Sequence, residues 1–401
     1  MPVIDVSNCE LWAFDPILPP ACCCVGNARD SLDIDENKAM TAKTTAGVAT
    51  TNAMPRLNLL AGLLLLMLVV AAVYHVFRVP PEKQPTVANS SPAEPQRVVQ
   101  IPIELLETPA EYREVDVSAL NTIKTVSDVA AKREALIEFL WGDSSLPGSL
   151  PAEVAKAVAD ERYADLAALD GIDRLVVRME FGLESVVYHF HPTAPTGEVM
   201  FFHQGHRGDF HQSKHHINAF LERGYSVIAF SMPLLGMNNQ PVIQLPRFGN
   251  LKLIDHDNMK FLQPAAGHPL QYFVEPVIAL INYLQANKAD TTISITGISG
   301  GAWTATIAAA IDPRITSSFP VAGSYPMYLR SNSRRDWGDY EQTVPEFYRA
   351  ANYLELYTMG AVGPGRMQLQ ILNQLDSCCF AGPKWETYAP QVEARVAELG
   401  S

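Results

Sequence analysis

The segment that most constrains the fold is a pentapeptide at residues 297–301, in which Ser299 has Gly297 and Gly301 two positions away on either side. The residues before it, Thr291–Thr296, predict a strand, and the alanine-rich residues after it, Ala302–Ile311, predict a helix. A serine at such a sharp strand-to-helix turn is held in a strained backbone conformation, and larger side chains two positions away would collide. The pattern indicates a serine raised as a nucleophile. The alternative is an ordinary serine in a glycine-rich turn.

Runs of apolar and β-branched residues predict strands on both sides of this turn. Two of them, Leu175–Phe181 and Ser185–His191, are separated by Gly182 and predict an antiparallel hairpin. Further runs alternate with helical segments and are apolar along most of their length, as expected for parallel strands buried on both faces. These are Val199–His203, Tyr225–Phe230, Thr291–Thr296, Ile315–Val321 and Met367–Leu372. The chain is therefore expected to be of the α/β class, with a mostly parallel sheet in residues 170–401.

A second glycine-containing turn follows the strand that ends at His203. Residues Gln204, Gly205 and His206 come next, and a glycine here lets backbone N–H groups converge on one point. Together with the amide of Gly300, an amide from these three residues is predicted to bind an oxyanion. A plain loop between strand and helix is the alternative.

Residues 170–400, with these two motifs, resemble the α/β-hydrolase superfamily in its lipase and esterase range. The resemblance implies a small-molecule carboxylic ester as substrate, Ser299 as nucleophile and a helical cap at about residues 324–365. It also implies an acid after the later strands, where Asp376 stands and would orient a histidine. A solvated loop aspartate is the alternative for Asp376.

The resemblance further implies a catalytic histidine after Asp376, yet the last histidine in the sequence is His268. Three explanations stay open. The sequence is truncated or frameshifted, or the protein is an inactive relative, or a substitute base such as His256 or His268 reaches the site. A serine without a base is a poor nucleophile at neutral pH, so a catalytically silent binding protein is the second function considered.

The N-terminal part predicts a membrane anchor. Residues 57–77 form an apolar run long enough to span a bilayer as a single helix, following a polar tail at residues 1–56 in which Met54 resembles a true start. A cleavable signal is the alternative. A Pro-rich tether at residues 78–103 and a helical extension at residues 104–169 follow, and we expect the globular domain on the periplasmic or extracellular side.

The net charge and the histidine content limit which other ligands and partners we expect. With 43 acidic against 30 basic side chains the net charge is −13, so we expect no nucleic-acid partner. Neither a cofactor nor a metal is part of the leading prediction. A rival hypothesis is metal-assisted hydrolysis, because several histidines crowd one segment and two of them are spaced i,i+4 on a predicted helix. They are His203, His206, His211, His215 and His216.

Overall fold

The computed structural model describes residues 3–5, 107–287, 291–330, 336–376 and 378–400. Its strands are β1 Val3–Asp5, β2 Glu153–Ala155, β3 Leu169–Arg178, β4 Glu184–Pro192, β5 Val199–His203, β6 Ser226–Phe230, β7 Val242–Leu245, β8 Gly249–Lys252, β9 Ile293–Ile298, β10 Ile315–Val321, β11 Met367–Gln368 and β12 Gln370–Leu372. The main sheet has the strand order β1-β12-β10-β9-β5-β6-β4-β3-β2, and β11 pairs with β10 beside β12. Strands β7 and β8 form a separate hairpin.

The sheet is antiparallel at one end and parallel through its middle. Strands β2, β3, β4 and β6 pair antiparallel in that order, whereas β6, β5, β9, β10 and β12 are parallel neighbours. All five residues of β5 are buried, as expected for a parallel strand covered on both faces. The sequence predicted an antiparallel hairpin followed by strands that alternate with helices. Both features are present, and the hairpin is the β3–β4 pair. The segment Met367–Leu372 was predicted as one strand. The structure divides it at Leu369 into two short strands, β11 and β12.

Helices pack on both faces of the sheet, and two of them lie within residues 324–365, the segment predicted as a cap. The helices are α1 Ala110–Arg113, α2 Val117–Leu120, α3 Val126–Trp141, α4 Lys214–Leu221, α5 Gln271–Asn287, α6 Gly300–Ile311, α7 Pro345–Ala350, α8 Tyr353–Ala361 and α9 Ala389–Leu399. The central helix α6 is buried along its whole length. Its small alanine side chains let α3, α5 and α8 pack closely around it.

The segment at residues 104–169 is only partly helical. Within it, α3 begins at a capping box formed by Thr125 and Asp128 and ends at Gly142 in the left-handed conformation. Strand β2, however, adds to the edge of the sheet beside β3. A helical extension was expected from the helix-like stretch Val126–Trp141, which α3 confirms. The sequence did not indicate β2, since its three residues are exposed and lack the alternating apolar pattern of a strand.

The apolar run at residues 57–77 lies outside the described residues. Among the helices that the structure does describe, none is both long enough and apolar enough to cross a bilayer. The membrane anchor therefore stays a prediction.

Candidate active site

Ser299 lies at a tight turn between β9 and α6. Its backbone has φ 55° and ψ −120°, a conformation that is strained for a residue with a side chain. Hydrogen bonds hold the turn on both sides, since the Ser299 amide donates to the carbonyl of Val321 at 2.9 Å and the Ser299 carbonyl accepts from the amides of Ala302 and Trp303 at 2.9 and 3.0 Å. The hydroxyl therefore stands at the positive end of a buried helix.

The loop after β5 packs directly on this turn. A Cβ atom at Gly205 would lie 2.5 Å from the carbonyl oxygen of Ile298 and 3.0 Å from the Cβ of Ser299, so only glycine allows this approach. The amides of Gly205, His206 and Gly300 have no hydrogen-bond acceptor among the described residues. They are thus free to bind an oxyanion.

Gln204 was considered as a source of an oxyanion-binding amide, but its hydrogen bonds give it another role. Its amide donates to the carbonyl of Phe230 at 2.9 Å, and its side-chain oxygen accepts from the hydroxyl of Ser213 at 3.0 Å. The amide is therefore already bonded, and Gln204 anchors the loop instead of supplying an oxyanion donor.

The side chain of His206 connects Ser299 to carboxylates of the cap. Its Nδ1 lies 3.4 Å from the Oγ of Ser299. Its Nε2 lies 2.9 Å from Oε1 of Glu341 and 3.0 Å from Oδ2 of Asp339. Because the carboxylates accept, Nε2 carries a proton, and Nδ1 faces the serine hydroxyl.

Electrostatics couple His206 and Glu341 strongly. Burial lowers the pKa of His206, but hydrogen bonds to Asp339 and Glu341 and their negative charges outweigh it and raise that pKa to about 10. Burial raises the pKa of Glu341, but the hydrogen bond with His206 and the charges of His256 and His206 outweigh it and lower that pKa to about 2. Glu341 is fully buried, so its charge depends on these partners.

His256 stands behind Glu341 and does not reach Ser299. Its Nε2 lies 3.1 Å from the carbonyl oxygen of Pro233, so this nitrogen donates. Its Nδ1 faces Oε2 of Glu341 at 3.4 Å, and Oε2 has no hydrogen bond among the described residues. The structure thus places one of the two suggested substitute bases at the carboxylate of the site and not at the nucleophile.

The other suggested residues lie apart from Ser299. The ring of His268 packs 4.7 Å from that of Phe139. Oδ1 of Asp376 accepts hydrogen bonds from the amides of Cys378 and Cys379 at 2.7 and 3.1 Å. Among the described residues, no hydrogen bond or ion pair joins Asp376 to a histidine.

The histidine cluster of the rival hypothesis does not form one centre. Nδ1 of His203 faces the carbonyl of Gln204 at 2.9 Å, and Nδ1 of His211 lies 2.5 Å from the hydroxyl of Tyr163. The i,i+4 spacing of His211 and His215 brought no shared ligand position among the described residues. His206 instead converges with two residues distant in sequence, and the ligand atoms of His206, His256 and Glu341 all lie within 4.8 Å of one another.

The strand order, the parallel centre of the sheet and the strained Ser299 turn between β9 and α6 together define an α/β-hydrolase fold. No protein-family model matches the chain, and no curated protein matches it.

The chain also shows distant similarity to several solved structures. Acetyl xylan esterase 1 from Thermoanaerobacterium sp. is 12% identical, with a TM-score of 0.44 over 72% of this chain and 89% of that one. An acetyl xylan esterase from Paenibacillus sp. R4 is 14% identical, with a TM-score of 0.41 over 72% and 99%. An esterase of Pyrococcus furiosus is 16% identical, with a TM-score of 0.40 over 64% and 86%.

Proposed function

We propose that this protein is a serine hydrolase of carboxylic esters in which Ser299, His206 and Glu341 form the catalytic triad. The observation that carries the proposal is the position of His206, whose two ring nitrogens face the Ser299 hydroxyl at 3.4 Å and the Glu341 carboxylate at 2.9 Å. Catalytic hydrogen bonds are often long in the absence of substrate, so 3.4 Å is compatible with proton transfer. Asp376 was the acid expected from sequence, and Glu341 supports that role better because it contacts a histidine.

The proposed reaction follows from this order of atoms. Neutral His206 takes the hydroxyl proton at Nδ1 while Oγ of Ser299 attacks the ester carbonyl carbon. The amides of Gly205 and Gly300 stabilise the oxyanion, and Glu341 stabilises the imidazolium of His206. The imidazolium then gives its proton to the alkoxide as the ester C–O bond breaks, which leaves the acyl group on Oγ of Ser299. Water next attacks the acyl carbonyl while His206 takes its proton at Nδ1, and the imidazolium returns that proton to Oγ as the carboxylic acid leaves.

A fluorophosphonate probe tests the triad directly, because it labels only an activated serine. We expect the full-length protein to be labelled at Ser299, and we expect Ser299→Ala and His206→Ala to lose the label while keeping their circular dichroism spectra. His215→Ala is the matched control, since His215 lies on α4 against His216 and outside the site. A folded wild type without label would favour a silent binding protein on the same fold.

A metal-assisted hydrolysis is the second candidate, and one observation favours it. Nδ1 of His256 and Oε2 of Glu341 face each other without a hydrogen bond, and with His206 they offer the nitrogen and oxygen ligands that suit Zn²⁺. In this case esterase activity would be lost on treatment with a chelator and restored by Zn²⁺. Activity that persists through chelation would leave the serine triad as the mechanism.

We also propose that residues 57–77 anchor the protein in a membrane with the hydrolase domain outside the cytoplasm. The support is the length and apolar character of this run in the sequence. Membrane fractionation of cells that express the full chain, compared with a chain lacking residues 57–77, tests it. Recovery of both proteins in the soluble fraction would contradict the anchor.

A further inference from the structure

Three side chains outside the candidate active site converge on one face of the β3–β4 pair. Asp173 in β3 is in register with His189 in β4, and His191 follows His189 by two positions. Residues two apart on a strand point to the same face, so both imidazoles lie beside the carboxylate. This convergence depends on strand pairing, and the segment is far from Ser299 in the sheet order.

The ligand atoms of these three residues are already close. All lie within 4.8 Å of one another, and Nε2 of His191 is 2.8 Å from Oδ2 of Asp173. A zinc ion holds nitrogen and oxygen ligands at about 2.0 to 2.2 Å. Two ligand atoms on one ion are therefore separated by no more than about twice that distance, and the atoms of this cluster are close to that range.

His189 is the least explained member of the cluster. It is 8% exposed, and its Nε2 has no hydrogen-bond partner among the described residues. Leaving a buried polar nitrogen unpaired is costly, and a metal ligand is one way to satisfy such a ring.

Lys156 supplies the positive charge at this cluster in the structure. Its Nζ lies 2.7 Å from Oδ2 of Asp173 and 2.9 Å from the hydroxyl of Tyr283. The lysine side chain is 61% exposed, so it is able to swing into solvent. A divalent cation would have to displace the ammonium from the carboxylate, because the two positive charges repel each other.

We propose that Asp173, His189 and His191 form a binding site for a divalent transition-metal ion such as Zn²⁺, for which Lys156 is a built-in competitor. The two-histidine, one-carboxylate ligand set is of a kind that binds such ions, with water completing the coordination. The site is independent of the proposed hydrolase activity, since none of its residues contacts Ser299, His206 or Glu341 among the described residues.

Zinc titration of the full-length protein by calorimetry, at neutral pH, tests the site. We expect His191→Ala to lose one equivalent of bound Zn²⁺ or to weaken its binding at least tenfold. We expect Lys156→Met to tighten the same binding event about tenfold, because no ammonium has to leave. Wild-type binding in His191→Ala, or unchanged affinity in Lys156→Met, would overturn the proposal.

Two controls separate this site from other histidines. His189→Ala should behave as His191→Ala does, and because His189 is buried, His191→Ala serves where the His189 variant fails to fold. His215→Ala removes a histidine from the adjacent His215–His216 pair and should leave zinc binding unchanged. His206→Ala alters the active-site cluster and should keep the zinc-binding event that Lys156→Met tightens. Loss of that event in His206→Ala would count against its assignment to Asp173, His189 and His191.

Discussion

Nε2 of His206 lies 2.9 Å from Oε1 of Glu341, and the two residues are 135 positions apart in the sequence. Their contact joins the loop after β5 to the cap, and it places a fully buried carboxylate opposite an imidazole. Such a buried charge is tolerated only while its partner is present, because the desolvation cost is otherwise uncompensated. The pair thus links the geometry of the nucleophile to the position of the cap.

Replacing the carboxylate by an amide should remove the stabilisation of the imidazolium. We expect Glu341→Gln to lower kcat for p-nitrophenyl acetate by about 10⁴-fold, the loss found when the acid of a serine triad is amidated. Asp339→Asn is the control, because Asp339 is 58% exposed and its charge is better screened, so the loss should be smaller. A Glu341→Gln variant with wild-type kcat would remove Glu341 from the mechanism.

The same assay decides between the two candidate acids. Asp376 accepts hydrogen bonds only from the Cys378 and Cys379 amides among the described residues, so its carboxylate acts on the local loop. We therefore expect Asp376→Asn to change kcat less than tenfold. A loss of kcat in Asp376→Asn as large as the loss expected for Glu341→Gln would show that Asp376, the acid implied by the family resemblance, is the functional one.

The rate should rise with pH, because only neutral His206 accepts the serine proton. Hydrogen bonds to Asp339 and Glu341 raise the pKa of His206 to about 10 against the opposing effect of burial, so most molecules carry the proton at neutral pH. We expect kcat/KM to increase about tenfold per pH unit between about pH 7 and 9. Ser299→Ala gives the background of spontaneous ester hydrolysis, and a plateau already reached at about pH 7 would contradict the raised pKa.

The sheet and the sharp turn that holds Ser299 were predictable from the sequence, because local patterns specify both. Strands β5 and β10 have the bounds expected from their apolar runs, and the turn around Ser299 is identified by its glycines and its neighbouring elements. The same local rule predicts the turns that contain Gly205 and Gly300, whose amides have no acceptor among the described residues. These features depend on residues close together in the chain.

The proposed partners of Ser299 were not predictable in the same way. His206 was expected to supply an amide, and Glu341 was not singled out, because the cap has no motif that marks it. Their roles arise from a contact between the loop after β5 and the cap, which no local periodicity encodes. The only sequence signal was His206 itself, next to Gly205 and three residues beyond the end of β5, the strand that pairs with β9.

Protonation of His206 should also stabilise the fold. Its pKa is about 10 in the folded protein and about 6.5 when unfolded, so the folded form binds more protons between these values. The stabilisation is fully present below about pH 6.5 and is lost as pH rises towards 10. We expect the free energy of unfolding in urea to fall more steeply from about pH 6.5 to 9.5 in the wild type than in His206→Gln. Equal slopes in the two proteins would argue against the shift.

Gly300 offers a test that changes the position of His206 without changing its chemistry. A Cβ atom at Gly300 would collide with Cε1 of the His206 ring, and it would lie 2.7 Å from Nε2 of that ring and 2.7 Å from Cε of Met232. Gly300 is the first residue of α6 and is not in the left-handed region, so alanine suits its backbone.

We therefore expect Gly300→Ala to stay folded but to displace the imidazole and lower kcat by about 100-fold, since a shift of about 1 Å in a catalytic group has this effect. Gly171→Ala is the matched control, because nothing lies within 4 Å of the added methyl group there, and it should keep full activity. Full activity in Gly300→Ala would show that the imidazole works from another position, since a methyl group and the ring cannot share this space.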